Sequence, residues 1–131
     1  MHLLTLGLNH TTAPVEVRER LAFAESDQPD SLRQLLKGYG LSEVAILSTC
    51  NRSEIYAASD GPHLEPVRRY LAEQRRLNVA DLSPCFYEYI DAEAATHLFR
   101  VASGIDSLVI GESQILKQVR EALETSQAVG S

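Results

Sequence analysis

The alternation of apolar and polar positions divides the chain into short strands and amphipathic helices. Strands are predicted over residues 2–9, 43–49, 53–59 and 85–90, which are short apolar or aromatic stretches, several of them bounded by turn-forming residues. Helices are predicted from Pro14 to about Leu21, from about Pro29 to Gly38, from about Leu64 to Leu77, over 92–103 and over 112–128. This order predicts a ferredoxin-like βαββαβ antiparallel sheet of the α+β class, with additional C-terminal helices.

Each of the last two helices is expected to bury one apolar face. The predicted apolar face of the first comprises Ala92, Ala95, Leu98, Phe99 and Ala102. That of the second comprises Ile115, Leu116, Val119, Ala122 and Leu123. The opposite side of the first helix carries Glu93, His97 and Arg100 at helical spacing. This polar stripe is either a solvated surface or a source of a general base.

The predicted topology brings three distant segments to one edge of the sheet. In a βαββαβ sheet the first two strands run the same way, on either side of the third. The end of the first strand, at Asn9 and His10, is therefore expected beside the turn that contains Cys50. The fourth strand ends at the opposite edge, so the helix after it would carry residues 104–107 back toward Cys50.

The turn between the second and third strands breaks a local rule. In a two-residue hairpin both central residues take positive φ, which asparagine tolerates and arginine does not. If Cys50 closes the second strand, the central pair is Asn51 and Arg52. An unfavourable residue at a turn is a reason to expect a functional site there.

Cys50 has two interpretations on pattern alone. It is either a small buried apolar residue at the end of a strand or a reactive thiol. The thiolate is the nucleophilic form of cysteine, and a nearby cation stabilises it. Arg52 would supply that cation only if its side chain folds back; equally, it could hold a substrate carboxylate by a bidentate contact. Cys85, at the start of a strand, is expected to be structural.

Other candidates also have a structural alternative. His10 ends the first strand and would either stabilise a turn or act as a base. Residues 104–107 and 111–114 resemble loop and helix-capping sequence, although a helix N-terminus facing a cleft would also bind an anion.

Composition excludes several classes of protein. At 131 residues, with 44% hydrophobic and 23% charged residues, the chain is expected to be one globular domain. Neither a membrane span nor a signal peptide is expected. The four histidines and two cysteines lack metal-ligand spacing, so no metal site is predicted and both thiols are expected free in a cytoplasmic, reducing compartment. A net charge of −6 argues against a broad nucleic-acid surface.

Three segments together resemble glutamyl-tRNA reductase. They are GLNHTTAPVEVRERLAF at 7–23, LSTCNRSEIY at 47–56 and HLFRVASGIDSLVIGESQILKQV at 97–119. They occur in the order and at the separations of that family, and the resemblance covers essentially the whole chain. It implies that residues 1–131 are the N-terminal catalytic domain of a longer protein.

The resemblance also implies an activity. The family reduces glutamyl-tRNA to glutamate-1-semialdehyde with NADPH, the first step of tetrapyrrole synthesis from glutamate. Its cysteine nucleophile, which forms a thioester, corresponds to Cys50, and its activity-linked histidine to His97. The residues expected to bind substrate are Thr49, Asn51, Arg52, Ser107, Glu112, Ser113, Gln114 and Gln118. A homodimer and a complex with glutamate-1-semialdehyde aminomutase are the other partners implied.

Several departures from the family pattern accompany the match. The family motif GEPQILGQ is GESQILKQ here, with Ser113 and Lys117 in place of proline and glycine, and Ser53 replaces a common threonine. No GxGxxG follows a strand, so the NADPH-binding domain is expected to lie outside this chain, as is the dimerisation domain.

Two other classes remain open. The same sheet topology serves as an RNA-recognition module, although residues 2–9 and 53–59 lack its stacking aromatics. It also serves as an amino-acid-sensing domain, which needs no nucleophile. The choice of general base, His10 or His97, is open as well.

Overall fold

The computed structural model describes residues 1–103 and 113–130, without the side chains of 113–116. Its strands are β1 (His2–Asn9), β2 (Glu43–Ser48), β3 (Arg52–Ser59) and β4 (Tyr87–Ile90). Its helices are α1 (Val15–Leu21), α2 (Gln28–Gly38), α3 (Glu65–Gln74), α4 (Val79–Leu82), α5 (Ala92–Ala102) and α6 (Ser113–Ala128). The predicted α+β class with a βαββαβ core and added C-terminal helices is confirmed.

The four strands form one antiparallel sheet in the order β2-β3-β1-β4. Asn9 at the end of β1 lies opposite Arg52, and Ser48 at the end of β2 lies opposite Ser53. The predicted meeting of the end of β1 with the β2–β3 turn at one edge is therefore confirmed.

The two faces of the sheet differ in chemistry because side chains alternate along each strand. One face forms the main apolar core with α2 and α3, and its buried side chains include Leu4, Leu6, Leu8, Ile46, Ile55, Leu32, Leu35, Val67 and Leu71. The other face forms a smaller apolar cluster with α5 and α6, and it also holds the polar residues Arg52 and Glu54. The site is built on this second face.

The segment between α3 and β4 is more broken than predicted. The helix expected to reach Leu77 ends at Gln74, and Arg76 has a φ of 54°, which an α-helix does not accommodate. Leu77 is nevertheless buried, because the turn directs it into the main core. Cys85 lies in a 3-10 turn, half-buried against that core, and β4 starts only at Tyr87.

The predicted apolar face of α5 is only partly correct: Leu98 packs on the smaller cluster as expected, but the most buried positions of the helix are others. Its buried residues are Ala94, His97 and Val101, whereas the side chain of Phe99 is 75% exposed. The helix is rotated because His97 bonds to a carboxylate in the sheet below it. The interpretation of His97 as part of a solvated surface is therefore also wrong.

α6 departs from its predicted face in a similar way. Val119 and Ala122 pack on the smaller cluster as expected, but Leu123 is 52% exposed. Ser126 is buried and its hydroxyl donates to the carbonyl of Val44 in β2. A polar residue therefore anchors the end of this helix to the edge strand.

Candidate functional site

Cys50 lies exposed at the tip of the turn between β2 and β3. The hydroxyl oxygen of Thr49 accepts hydrogen bonds from the backbone N–H groups of Asn51 (3.1 Å) and Arg52 (3.2 Å). The N–H of Thr49 donates to the carbonyl of Arg52 at 2.7 Å. These bonds fix the backbone on both sides of the cysteine, so the thiol is presented to solvent on a defined turn. The interpretation of Cys50 as a buried apolar residue is wrong.

The prediction for the turn itself is also wrong. Its central residues are Cys50 and Asn51, and neither has positive φ. Arg52 is the first residue of β3 and its side chain is only 2% exposed. The Thr49 hydroxyl supplies bonds that a tight hairpin would obtain from its backbone, so the arginine needs no strained conformation.

Asn9 shapes the neighbouring loop. Its side-chain oxygen accepts hydrogen bonds from the N–H groups of Thr11 (2.9 Å) and Thr12 (3.2 Å) and from the Thr11 hydroxyl (2.7 Å). This is the local pattern by which asparagine stabilises turns. Since Asn9 lies opposite Arg52, the loop that contains His10 is held beside the Cys50 turn.

A fully buried carboxylate, Glu54, links the strands to α5. Its Oε2 accepts hydrogen bonds from the Tyr87 hydroxyl and from Arg52 Nη1 (3.4 Å) and is bonded to Nε2 of His97. Its Oε1 accepts a hydrogen bond from the Tyr56 hydroxyl at 2.8 Å. Residues from β3, β4 and α5 therefore converge on one side chain.

The electrostatics of this cluster favour a charged Glu54. Burial opposes ionisation of the carboxyl, but the bond and charge of His97, the charge of Arg52 and the bond from Tyr87 together hold the pKa of Glu54 below its ordinary value. Burial and the neighbouring Glu54 charge raise the pKa of Tyr56 and of Tyr87, which keeps both phenols protonated as donors. The cluster is thus a carboxylate satisfied by donors on both oxygens.

Gly7 provides the space for this carboxylate. It lies opposite Glu54 on one side and Tyr87 on the other. A Cβ at this position would come within 2.8 Å of Glu54 Cγ and 3.0 Å of the Ser53 carbonyl oxygen. The glycine of the GLNH segment is therefore needed for packing around Glu54.

His97 faces an open cleft of about 770 Å3 at this edge of the sheet. The imidazole packs against the rings of Tyr87 and Tyr89, whose centroids are each 4.9 Å from its own and 5.5 Å from each other. The cleft is bounded by the loop after β1, by β4 and by α5, and its polar lining includes His10, Thr12, Glu93, His97 and Arg100. The two candidate bases, His10 and His97, thus line one cleft.

The remaining predicted site residues are on or before α6. Gln118 is half-buried on that helix. Ser113 and Gln114 are in its first turn, and their side chains lie outside the described part of the structure. Ser107 and Glu112 lie outside the described residues altogether.

Sequence reasoning missed Glu54, and a signal for it was present. Two amphipathic helices follow β4 in the sequence, and α5 and α6 cover the face of the sheet that carries Glu54. A glutamate in the middle of an interior strand whose two faces are both covered has to be paired or hydrogen-bonded. The pattern RSEIY therefore indicates a buried polar cluster once the strand order and these two helices are taken together.

Two general properties of the described residues bear on the site. They contain no group of three or more histidine, cysteine, aspartate or glutamate side chains able to hold a metal ion. None of the helices among them is both long and apolar enough to cross a bilayer.

Comparison with known proteins gives consistent matches. The family model "Glutamyl-tRNAGlu reductase, N-terminal domain" matches residues 6–131. The chain is 44% identical over 131 residues to glutamyl-tRNA reductase of Methylococcus capsulatus, covering 100% of this chain and 31% of that protein. It is 49% identical over 122 residues to the same enzyme of Marinobacter nauticus, covering 93% of this chain and 28% of that protein.

A solved structure matches as well. It is titled "Glutamyl-tRNA Reductase from Methanopyrus kandleri", and it superposes with a TM-score of 0.73 at 33% identity, covering 98% of this chain and 29% of that one. The chain thus spans about a third of the length of the relatives it matches. Because the family model matches residues 6–131 and the two relatives named above are 44% and 49% identical to this chain, the chain belongs to the glutamyl-tRNA reductase family, in the region of its N-terminal domain.

Proposed function

We propose that this chain forms the glutamyl thioester in the reduction of glutamyl-tRNA to glutamate-1-semialdehyde, with Cys50 as the nucleophile. The observation that carries the proposal is the exposed thiol of Cys50 on a fixed turn. Two residues later in the chain, the buried Arg52 is linked to His97 through the carboxylate of Glu54. Residues 1–131 would be the N-terminal catalytic domain of a longer protein.

The proposed step is a thiol–ester exchange. The Cys50 sulfur attacks the carbonyl carbon of the aminoacyl ester, the bond from that carbon to the ribose oxygen breaks, and the ribose oxygen takes the proton lost by the thiol. The products are an enzyme-bound thioester and tRNA with a free hydroxyl. Two histidines, His10 and His97, line the cleft at this edge of the sheet. We favour His97 over His10 as the residue that transfers this proton. Its contact with a buried carboxylate gives it a fixed orientation.

Arg52 is proposed to select the glutamyl side chain. A guanidinium carries five N–H donors in a planar fork that matches the two oxygens of a carboxylate, and Nη1 of Arg52 already donates to one carboxylate, that of Glu54. Because Arg52 is buried, a substrate carboxylate that pairs with it would also leave water, where charge-assisted bonds are strongest. Thr49 and Asn51 flank the nucleophile, and Ser107, Glu112, Ser113, Gln114 and Gln118 complete the proposed recognition set.

Cysteine suits this step better than serine would. An aminoacyl ester is already activated, so a thiolate opens it without strong assistance to the leaving group. The thioester that forms is a better hydride acceptor than the ester, whereas serine would return another ester. The exchange therefore prepares the acyl group for reduction.

The described residues do not fit the reductant. Dinucleotides usually bind with their pyrophosphate at a glycine-rich turn between a strand and a helix of a parallel βαβ unit. The described residues form one antiparallel sheet and contain no such turn. We therefore assign NADPH to the part of the relatives' length that this chain does not span. A homodimer, a complex with glutamate-1-semialdehyde aminomutase and a cytoplasmic site of action are proposed for the full protein on family grounds.

The other function classes are less well supported. An RNA-recognition module exposes one face of its sheet, whereas here helices pack on both faces among the described residues. An amino-acid-sensing domain has no use for an exposed thiol at the edge of the sheet. Both would retain their function after Cys50→Ser.

The test is a labelling experiment. The chain is incubated with tRNA carrying radiolabelled glutamate, and protein-bound label that is acid-stable and hydroxylamine-labile is measured. We expect labelling of the wild type and of Cys85→Ser, the matched control in which the half-buried second thiol is removed. Cys50→Ser should carry none. Absence of label at stoichiometric wild-type protein, or label that survives Cys50→Ser, would contradict the proposal.

A further inference from the structure

We propose that Glu54 is a positioning residue whose carboxylate holds both the specificity arginine and the cleft histidine in place. The inference rests on the proposed function, because it gives Arg52 and His97 a common support. It follows from contacts at one atom: Oε2 of Glu54 is bonded to Arg52 and to His97 at the same time.

The carboxylate is costly where it lies. Glu54 has no exposed surface, and burying a charged group costs several kcal/mol before its partners are counted. Apolar residues of similar volume commonly serve stability as well as or better than a buried ion pair. The donors on both oxygens offset the cost, whereas apolar residues in place of the whole cluster would avoid it altogether. Placement of its partners is the property that only the carboxylate provides.

The geometry explains what is being placed. Arg52 begins β3 and lies two residues from Cys50, whereas His97 comes from α5, more than forty positions along the chain. A single carboxylate oxygen between them fixes the distance from the guanidinium to the imidazole. Tyr87 donates to that same oxygen from β4 and thereby holds the carboxylate itself. The arrangement ties three elements together at the edge where the nucleophile is presented.

Loss of the carboxylate should therefore weaken the selectivity for the glutamyl group in a domain that is still folded. With Glu54→Gln the side chain keeps its shape, but Arg52 and His97 lose the negative charge that they share, and only one of the two terminal atoms can still accept a hydrogen bond. Misplacement of groups by about 1 Å costs on the order of 100-fold in rate. We expect labelling of Cys50 by glutamyl-tRNA to slow about 10- to 100-fold, and the preference for glutamyl-tRNA over glutaminyl-tRNA to shrink.

The experiment compares initial labelling rates with glutamyl-tRNA and glutaminyl-tRNA for wild type, Glu54→Gln and Tyr56→Phe. Tyr56→Phe is the matched control, because it removes the bond to Oε1 and leaves Oε2 with its partners. It should keep the wild-type preference. Alkylation of Cys50 by iodoacetamide should be equally fast in all three proteins, since the turn is held by Thr49.

The outcomes separate the two proposals. A wild type that carries no label refutes the proposed function. A labelled wild type with an unchanged preference in Glu54→Gln, or with equal losses for both tRNAs, refutes the positioning role alone. If Glu54→Gln does not fold, Glu54→Asp replaces it, because it keeps the charge and shortens its reach by one methylene. A reduced preference in that variant supports the proposal, and a retained preference overturns it.

Discussion

Replacing Gly7 by alanine tests whether the buried cluster leaves any space between β1 and its neighbours. The new Cβ would lie 2.8 Å from Glu54 Cγ, 3.0 Å from the Ser53 carbonyl oxygen and 3.2 Å from Glu54 Cα. Two of these three atoms belong to the backbone of the paired strand, so the clash cannot be relieved by a side-chain rotation alone. Strand β1 would have to move away from β3, with Glu54 displaced as well.

The expected cost follows from this overlap. Overpacking of a well-packed interior costs about 1–3 kcal/mol, and we expect about 2 kcal/mol for Gly7→Ala. For a domain of this length 1 kcal/mol corresponds to about 4 °C in Tm, so the midpoint should fall by about 8 °C. Urea denaturation monitored by circular dichroism gives the free energy of unfolding, and a thermal scan gives Tm.

A second glycine supplies the control. Gly38 ends α2, and a Cβ there would meet nothing within 4 Å. Gly38→Ala should leave the free energy of unfolding unchanged or raise it by up to about 1 kcal/mol, because alanine favours the helix. If Gly7→Ala is as stable as wild type, the close packing of β1 against Glu54 is incorrect.

Three further predictions concern stability. The folded protein lowers the pKa of Glu54, so the stabilising contribution of this carboxylate is complete at pH values well above its ordinary pKa of 4.5 and is lost as pH falls toward the folded-state pKa. In urea titrations between about pH 5 and 3, the wild type should therefore lose more free energy of unfolding than Glu54→Gln does, and parallel curves would contradict this. Val101→Ala should lower the free energy of unfolding by about 2 kcal/mol because Val101 is fully buried, whereas Phe99→Ala should change it by less than about 0.5 kcal/mol because Phe99 is exposed. If Phe99→Ala proved the more costly of the two, the face of α5 expected from sequence would be the correct one. Arg68 pairs with Glu88 at the surface, so Arg68→Ala should lower the free energy of unfolding by less than about 1 kcal/mol at low salt and by almost nothing near 1 M salt. A loss of stability that does not depend on salt would contradict the assignment of this pair as a screened surface ion pair.

The elements that could be predicted from sequence are those decided by local patterns. Alternation along β1 and the proline and glycine signals around α2 give their positions within one or two residues, because the information lies inside each segment. The edge at which Asn9 meets the Cys50 turn followed from strand order alone.

The errors arose where a distant partner decides the conformation. The turn was expected to centre on Asn51 and Arg52 because hairpin rules count backbone bonds, whereas the Thr49 side chain supplies the bonds here. Helical periodicity left a solvated surface open as one interpretation of His97, because it treats histidine as polar. A carboxylate forty-three residues earlier draws it inward, and no local pattern contains that information.

The position of β1 has a consequence for how the chain is made. Of the four strands β1 is the first to be synthesised, yet it lies in the interior of the sheet, and His2 has its partner only at Ser59. Its other neighbour, β4, is synthesised later still. An apolar strand whose two neighbouring strands are both synthesised much later can pair with the wrong segments during synthesis. The nascent chain should therefore depend on being shielded until the third and fourth strands have emerged.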